Sequence, residues 1–114
     1  MNFDSTIFYS HDINKAIDFY NNLIGLGIEY RQGDIYVSFI FPNQVRLGVK
    51  KAESDREIPG SQTIIISTEE IDKLYDRLRE KRVEIYSDIE NESWGRTFSI
   101  LDVDGNRIEF LNRN

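Results

Sequence analysis

Laid over itself at a shift of about 58 residues, the chain repeats one pattern, and few folds are compatible with such a repeat. Thr6-Ile7-Phe8-Tyr9-Ser10-His11-Asp12-Ile13-Asn14-Lys15 falls on Ile64-Ile65-Ile66-Ser67-Thr68-Glu69-Glu70-Ile71-Asp72-Lys73. Each copy reads as an apolar strand, an acidic helix start and a helix. In the first copy Asp12 is the expected N-cap, and Ile13, Ala16, Ile17, Phe19, Tyr20, Leu23 and Ile24 form an apolar stripe that ends at Gly25 and Gly27. In the second, Ser67 or Thr68 is the expected cap, Glu69 and Glu70 suit the positive helix start, and Ile71, Leu74, Tyr75 and Leu78 recur at helical spacing.

After each helix the apolar period changes from 3.6 to 2, which marks strands. The expected strands are 28–31, 35–41 and 44–50 in the first copy, and 83–86, 96–101 and 107–112 in the second, with Ser87 to Ser93 as a polar connection. The copies, about 3–50 and 62–112, are joined by a charged linker, 51–61, that lacks an apolar period and ends in Pro59-Gly60-Ser61. The fold class is therefore α+β, a tandem βαβββ chain within one domain. One helix per copy cannot cover both faces of a sheet, so the two modules are expected to build a mixed sheet shaped as a cup, with helices on its outer face.

The second copy closes with Ser93-Trp94-Gly95-Arg96-Thr97-Phe98-Ser99-Ile100-Leu101, an Asp102-Val103-Asp104-Gly105-Asn106 turn, and Arg107-Ile108-Glu109-Phe110. This segment resembles the C-terminal signature of the vicinal oxygen chelate superfamily, the glyoxalase, bleomycin-resistance and extradiol-dioxygenase group. Members typically read W-G…D-P-D-G-N-x-x-E-[FL] there, and Val103 stands where that group usually has proline. The resemblance runs from Ser5 to Phe110 and implies the cup architecture. It also implies that Glu109 is the position of a metal ligand in metal-using members, and that the first-strand histidine positions fall on Ser5 and on Thr63, or on Gln62 if the register slips by one.

Side chains alternate along a strand, so Glu109 in the cup places Arg107 and Leu111 beside it, with Ile108 and Phe110 towards the helices. Ser5, Ile7 and Tyr9 share the corresponding face of the first strand. Aligning Gln44-Val45-Arg46-Leu47 with Arg107-Ile108-Glu109-Phe110 makes Arg46 the counterpart of Glu109 and offers it as an ion-pair partner across the cup. A hard divalent ion needs several imidazole or carboxylate donors, and Ser5, Arg46, Thr63 and Glu109 supply one. No metal cofactor is expected on these grounds. Glu109 is the candidate catalytic residue should the chain be an enzyme, acting as a base if desolvated.

Of the aromatic candidates for a pocket wall, Tyr9, Tyr36, Phe39, Trp94 and Phe98, the core claims most. Trp94, placed before a glycine at a strand entrance, is the one expected over a cavity mouth. Two motifs fail. Asp102, Asp104 and Asn106 mimic a calcium loop, yet Arg107 and Arg113 hold its glycine and glutamate positions. Ser10-His11-Asp12 contains triad residue types but reads as a helix cap, because sequence neighbours seldom converge as a triad.

Composition narrows the partners. Fourteen Lys and Arg against twenty Asp and Glu give a net charge of −6, and the basic residues are dispersed, which disfavours nucleic acid and anionic membranes. There is no cysteine, so thiolate chemistry is excluded. No apolar run reaches the roughly 20 residues of a membrane helix, and no signal-peptide pattern opens the chain, so a cytoplasmic location is expected. With the metal set missing, the resemblance implies a metal-independent protein that sequesters a small molecule, after the manner of the bleomycin-resistance branch. The ligand-binding candidates are Ser5, Tyr9, Arg46, Thr63, Trp94 and Glu109, and a homodimer is what the resemblance implies. A metal-dependent lyase or dioxygenase using Glu109, and a non-catalytic interaction module, are the alternatives.

Overall fold

The computed structural model describes residues 1–114, which divide into two compact units, Met1–Gly60 and Ser61–Asn114. In unit 1, β1 (Ser5–Ser10) leads into α1 (Ile13–Ile17), which continues as a π-helix over Asp18–Ile24; β2 (Gly27–Gln32), β3 (Tyr36–Ile40) and β4 (Arg46–Lys51) follow. In unit 2, β5 (Thr63–Ser67) and α2 (Ile71–Glu80) precede β6 (Ile85–Glu92), β7 (Gly95–Leu101) and β8 (Arg107–Arg113). The sheets have the same order, β1-β4-β3-β2 and β5-β8-β7-β6, each with one parallel pair, β1 with β4 and β5 with β8. The repeat read from the sequence is thus a repeat of topology: an α+β chain of two four-stranded mixed sheets, each with its helix.

Each helix packs on one face of its own sheet. In unit 1, Ile13, Ala16, Phe19, Tyr20 and Ile24 are buried with Phe8, Val37, Phe39, Leu47 and Val49, and the Tyr20 and Phe39 rings lie 5.5 Å apart. In unit 2, Phe98 sits between Tyr75 at 5.1 Å and Phe110 at 5.0 Å, over Ile100 and Ile108. Each fully buried large side chain stabilises the fold by roughly 1.5–3 kcal/mol through removal from water, which is why the helix-facing positions are apolar throughout, while the opposite ones mix polar and apolar residues. No helix is long and apolar enough to cross a membrane.

The Asp12 cap forms as expected: its Oδ1 accepts from the Lys15 N–H at 3.2 Å, and Ser10 Oγ accepts from the Asp12 N–H at 3.1 Å, so Ser10-His11-Asp12 serves the helix start. The second helix corrects the reading of its start. Its N-cap is Glu70, which makes no side-chain cap bond, while the Thr68 N–H still donates to the Leu111 carbonyl and prolongs the β5–β8 ladder. The polar segment after Tyr86 is a second correction. Ser87 to Glu92 continues β6, an edge strand with no buried residue, so it carries no apolar alternation to betray it. The π-helix has a countable cause. From N-cap to the residue of left-handed backbone the first copy runs from Asp12 to Gly25 (φ 95°) and the second from Glu70 to Arg82 (φ 59°), one residue fewer. The extra residue widens the turns of the first helix.

Candidate functional site

The sheet face opposite each helix carries the polar groups, and β-bulges organise both faces. In β2 the pairing with β3 slips between Ile28 and Tyr30, leaving Glu29 as the extra residue; in β6 it slips between Ile85 and Ser87, leaving Tyr86. A bulge re-aims the side chain it carries. Both bulged residues meet the arginine that opens the last strand of their unit. Arg46 Nε donates to Glu29 Oε1 at 2.6 Å and to Oε2 at 2.8 Å, while the Arg107 guanidinium carbon lies 5.0 Å from the centre of the Tyr86 ring. A serine on the neighbouring strand completes each group. Ser38 Oγ donates to Glu29 Oε1 at 3.4 Å; Ser99 Oγ accepts from Arg107 Nε at 3.2 Å and lies 2.6 Å from Ser87 Oγ.

This equivalence corrects the sequence alignment of the last strands. Ser5 lies opposite Arg46 and Thr63 opposite Arg107; Ser38 lies opposite Gly48 and Ser99 opposite Glu109. The counterpart of Arg46 is therefore Arg107, and the counterpart of Glu109 is Gly48, two positions from the residue the sequence suggested. A Cβ at Gly48 would come within 2.5 Å of the Tyr36 hydroxyl and 2.7 Å of Ile7 Cδ1, so the room a glutamate would need is taken by those two side chains. Each arginine pairs with a carboxylate of its own unit, Arg46 with Glu29 and Arg107 with Glu109. Arg46 Nη1 also donates to the Gln44 carbonyl at 3.0 Å and to Asp4 Oδ1 at 3.4 Å, and Glu109 Oε1 accepts from Arg107 Nη2 at 3.1 Å.

Charge follows these contacts. The hydrogen bond from Arg46 holds the Glu29 carboxyl below the usual carboxylate range, and the same bond pushes the Arg46 guanidinium up. Glu109 is the more enclosed carboxylate, its side chain 15% exposed against 31% for Glu29. Pairing with Arg107 offsets the desolvation cost of a carboxylate held there.

The sequence candidates fall in three places. Thr63, Ile65, Arg107 and Glu109 share the open face of unit 2, with Thr63 rather than Gln62 at the position beside Arg107. Ser5 and Tyr9 share the open face of unit 1, beside Arg46 and Lys50. Trp94 stands apart: it is exposed in the β6–β7 turn, and Gly95 precedes Ser99, the partner of Glu109, by four residues, about 13 Å along a strand. Phe39 and Phe98 are core residues with no exposed surface. Tyr86 was missed as a site residue because a bulge is invisible to period counting, and Ser99 because an isolated buried serine gives no signal of its partners.

The metal-ligand positions do not fit a metal. Serine and threonine hydroxyls are weak donors, the single carboxylate is engaged by a guanidinium, and nowhere do three His, Cys, Asp or Glu side chains gather as a metal site requires.

Comparison with known proteins places these units in company. The family model of the Glyoxalase/Bleomycin resistance protein/Dioxygenase superfamily matches residues 2–110. A glutathione transferase FosA of Serratia marcescens is 28% identical over 106 residues, covering 86% of this chain and 71% of the relative. A solved structure of TnmS3, an antibiotic binding protein from Streptomyces sp. CB03234, superposes with a TM-score of 0.84 at 23% identity, covering 100% of this chain and 97% of the other. A glyoxalase/bleomycin resistance protein/dioxygenase superfamily member from Sphaerobacter thermophilus gives 0.81 at 26% identity, with 99% and 98% covered.

Proposed function

The chain belongs to the Glyoxalase/Bleomycin resistance protein/Dioxygenase superfamily, and we propose on that premise that it is a metal-independent small-molecule-binding protein, which holds its ligand on an open sheet face without transforming it. One observation carries this reading: Glu109, the one carboxylate at the positions read as metal ligands, is occupied by Arg107 at 3.1 Å, while Ser5 and Thr63 offer only hydroxyls. A divalent ion would have to displace a guanidinium and then find too few donors. The antibiotic-binding description of TnmS3 supports the binding role at the level of a shared fold. A homodimer is part of the proposal, in line with the resemblance.

The deciding experiment is metal analysis of the untagged protein, followed by titration with Mn, Fe, Ni and Zn read by thermal unfolding. A bound ion present at about 100 times its Kd stabilises a protein by roughly 2.7 kcal/mol, which such a scan resolves. The expected result is no bound metal and no shift. A stabilisation that Glu109→Gln abolishes would overturn the proposal and leave the lyase or dioxygenase reading in its place.

A further inference from the structure

We infer that the open face of unit 2 carries a receptor for a zwitterionic head group, an α-carboxylate beside a protonated amine, built from Arg107 and Glu109. The inference rests on the reading of this face as a ligand site and deepens it by naming the chemistry of the ligand. A guanidinium has five N–H donors arranged on a fixed planar fork. In Arg107 the side edge is used: Nε donates to Ser99 and Nη2 to Glu109. The Ser99 anchor is firm, since Ser99 is fully buried and lies 2.6 Å from Ser87 Oγ, and the guanidinium carbon sits over the Tyr86 ring at 5.0 Å. What remains is the end edge, one N–H from Nη1 and one from Nη2, the geometry that takes a carboxylate with two parallel hydrogen bonds. The Arg107 side chain is 36% exposed, and this edge is the part of it that the chain leaves without a partner.

The same ion pair leaves an acceptor. Glu109 uses Oε1 for Arg107, and Oε2 accepts no hydrogen bond from the chain. An unused pair of donors beside an unused anionic acceptor is matched by a ligand that brings an acceptor and a cationic donor a few ångströms apart. A simple anion would meet Glu109 and a net charge of −6; a simple cation would meet Arg107. A zwitterion avoids both penalties. Ile65 lies beside Glu109 on the neighbouring strand, and it and Tyr86 are 58% and 59% exposed, leaving an apolar shelf for the rest of the ligand. Arg46 cannot serve in the same way, because its Nη1 is already donated to the Gln44 carbonyl and to Asp4.

The test compares L-phenylalanine with 3-phenylpropanoate, which lacks the amine, 2-phenylethylamine, which lacks the carboxylate, and L-phenyllactate, which carries a hydroxyl in place of the amine. Binding is measured by titration calorimetry and by the NMR signal of the Arg107 Nε–H. Saturable binding of phenylalanine, with a shift of that signal, is expected. The three analogues should bind at least about tenfold more weakly, the equivalent of losing one charge-assisted hydrogen bond. Arg107→Lys, which keeps the charge and loses the fork, and Glu109→Gln should each weaken phenylalanine to a similar degree. Equal binding of the analogues, or no shift of the Arg107 signal at millimolar phenylalanine, would overturn the assignment. That failure is separable from failure of the metal-free reading, which requires a metal-induced stabilisation lost in Glu109→Gln.

Discussion

Replacing Gly95 by alanine tests why the Trp-Gly pair stands where it does. Gly95 is buried at the start of β7, opposite Arg113 of β8, with φ at 156°. A Cβ there would lie 2.5 Å from the Asn112 carbonyl oxygen, 2.8 Å from Leu111 Cδ1 and 3.1 Å from the Arg113 Cα. Two of these atoms are backbone of the paired strand, so relief requires β8 to move away and give up ladder hydrogen bonds. Overpacking of this kind costs roughly 1–3 kcal/mol and a strained backbone conformation of order 1–3 kcal/mol more. Gly95→Ala should therefore lose about 2–6 kcal/mol, a large share of the 5–15 kcal/mol typical of a domain. Gly105, in the Asp102–Asn106 turn, is the comparison. Its φ is 93°, yet nothing lies within 4 Å of the missing Cβ, so alanine there should cost only the roughly 1–2 kcal/mol of a left-handed residue. Urea unfolding of the two variants at unchanged m-value gives both numbers. A loss at Gly95 no greater than that at Gly105 would refute the argument that the glycine is required by the approach of two strands.

Ser99→Ala should cost about 1–3 kcal/mol in the same assay, because it removes the acceptor of Arg107 Nε and the partner of Ser87 in a fully buried position. Acid should act through Glu29 and Glu57, whose carboxyls are held below the usual range by hydrogen bonds from Arg46 and Lys50 respectively. A carboxylate with a depressed folded-state pKa contributes stability that is present above its unfolded value and lost as pH falls through the folded one. The thermal midpoint should therefore fall through and below the usual carboxylate range, and a Glu29→Gln, Glu57→Gln double variant should show a shallower fall. An identical slope would refute the assignment of acid sensitivity to these two pairs.

Much of the fold was legible because the repeat and the alternation of apolar residues report burial directly. Parity alone put Arg107 and Glu109 on one face and Ile108 and Phe110 on the other, and the structure agrees, while Leu111, expected beside Glu109, is buried. The Asp102 turn was legible for a local reason: Oδ1 accepts the N–H groups of Asp104 and Asn106, and Oδ2 the Asn106 amide, a pattern that short-range residue types dictate. The register of β4 was not legible. Between Phe41 and Lys50 the alternation is satisfied by more than one offset against β8, and only the backbone pairing of Ser38 with Gly48 decides between them. The bulges at Glu29 and Tyr86 escaped for a related reason, since each adds a residue that pattern counting absorbs without contradiction.

The two units solve one electrostatic problem in opposite ways, and this bears on where a ligand can go. Both place an arginine at the start of the last strand and a serine on the strand beside it, and both aim a bulged residue at that arginine. In unit 1 the bulge supplies the carboxylate, Glu29, and the last strand has Gly48 under Tyr36. In unit 2 the bulge supplies an aromatic ring, Tyr86, and the last strand supplies the carboxylate, Glu109. Moving the carboxylate from bulge to strand changes which nitrogen of the guanidinium it occupies and what else the arginine must hold. Glu29 takes Arg46 at Nε, with Nη1 held by Gln44 and Asp4, whereas Glu109 takes Arg107 at Nη2 and the end edge stays open. An ion pair that uses every good edge is structural; one that leaves a fork and an acceptor unused is equipped to bind. The proposed head-group receptor therefore belongs to the second unit and not to its near copy, whose arginine has no open fork to offer.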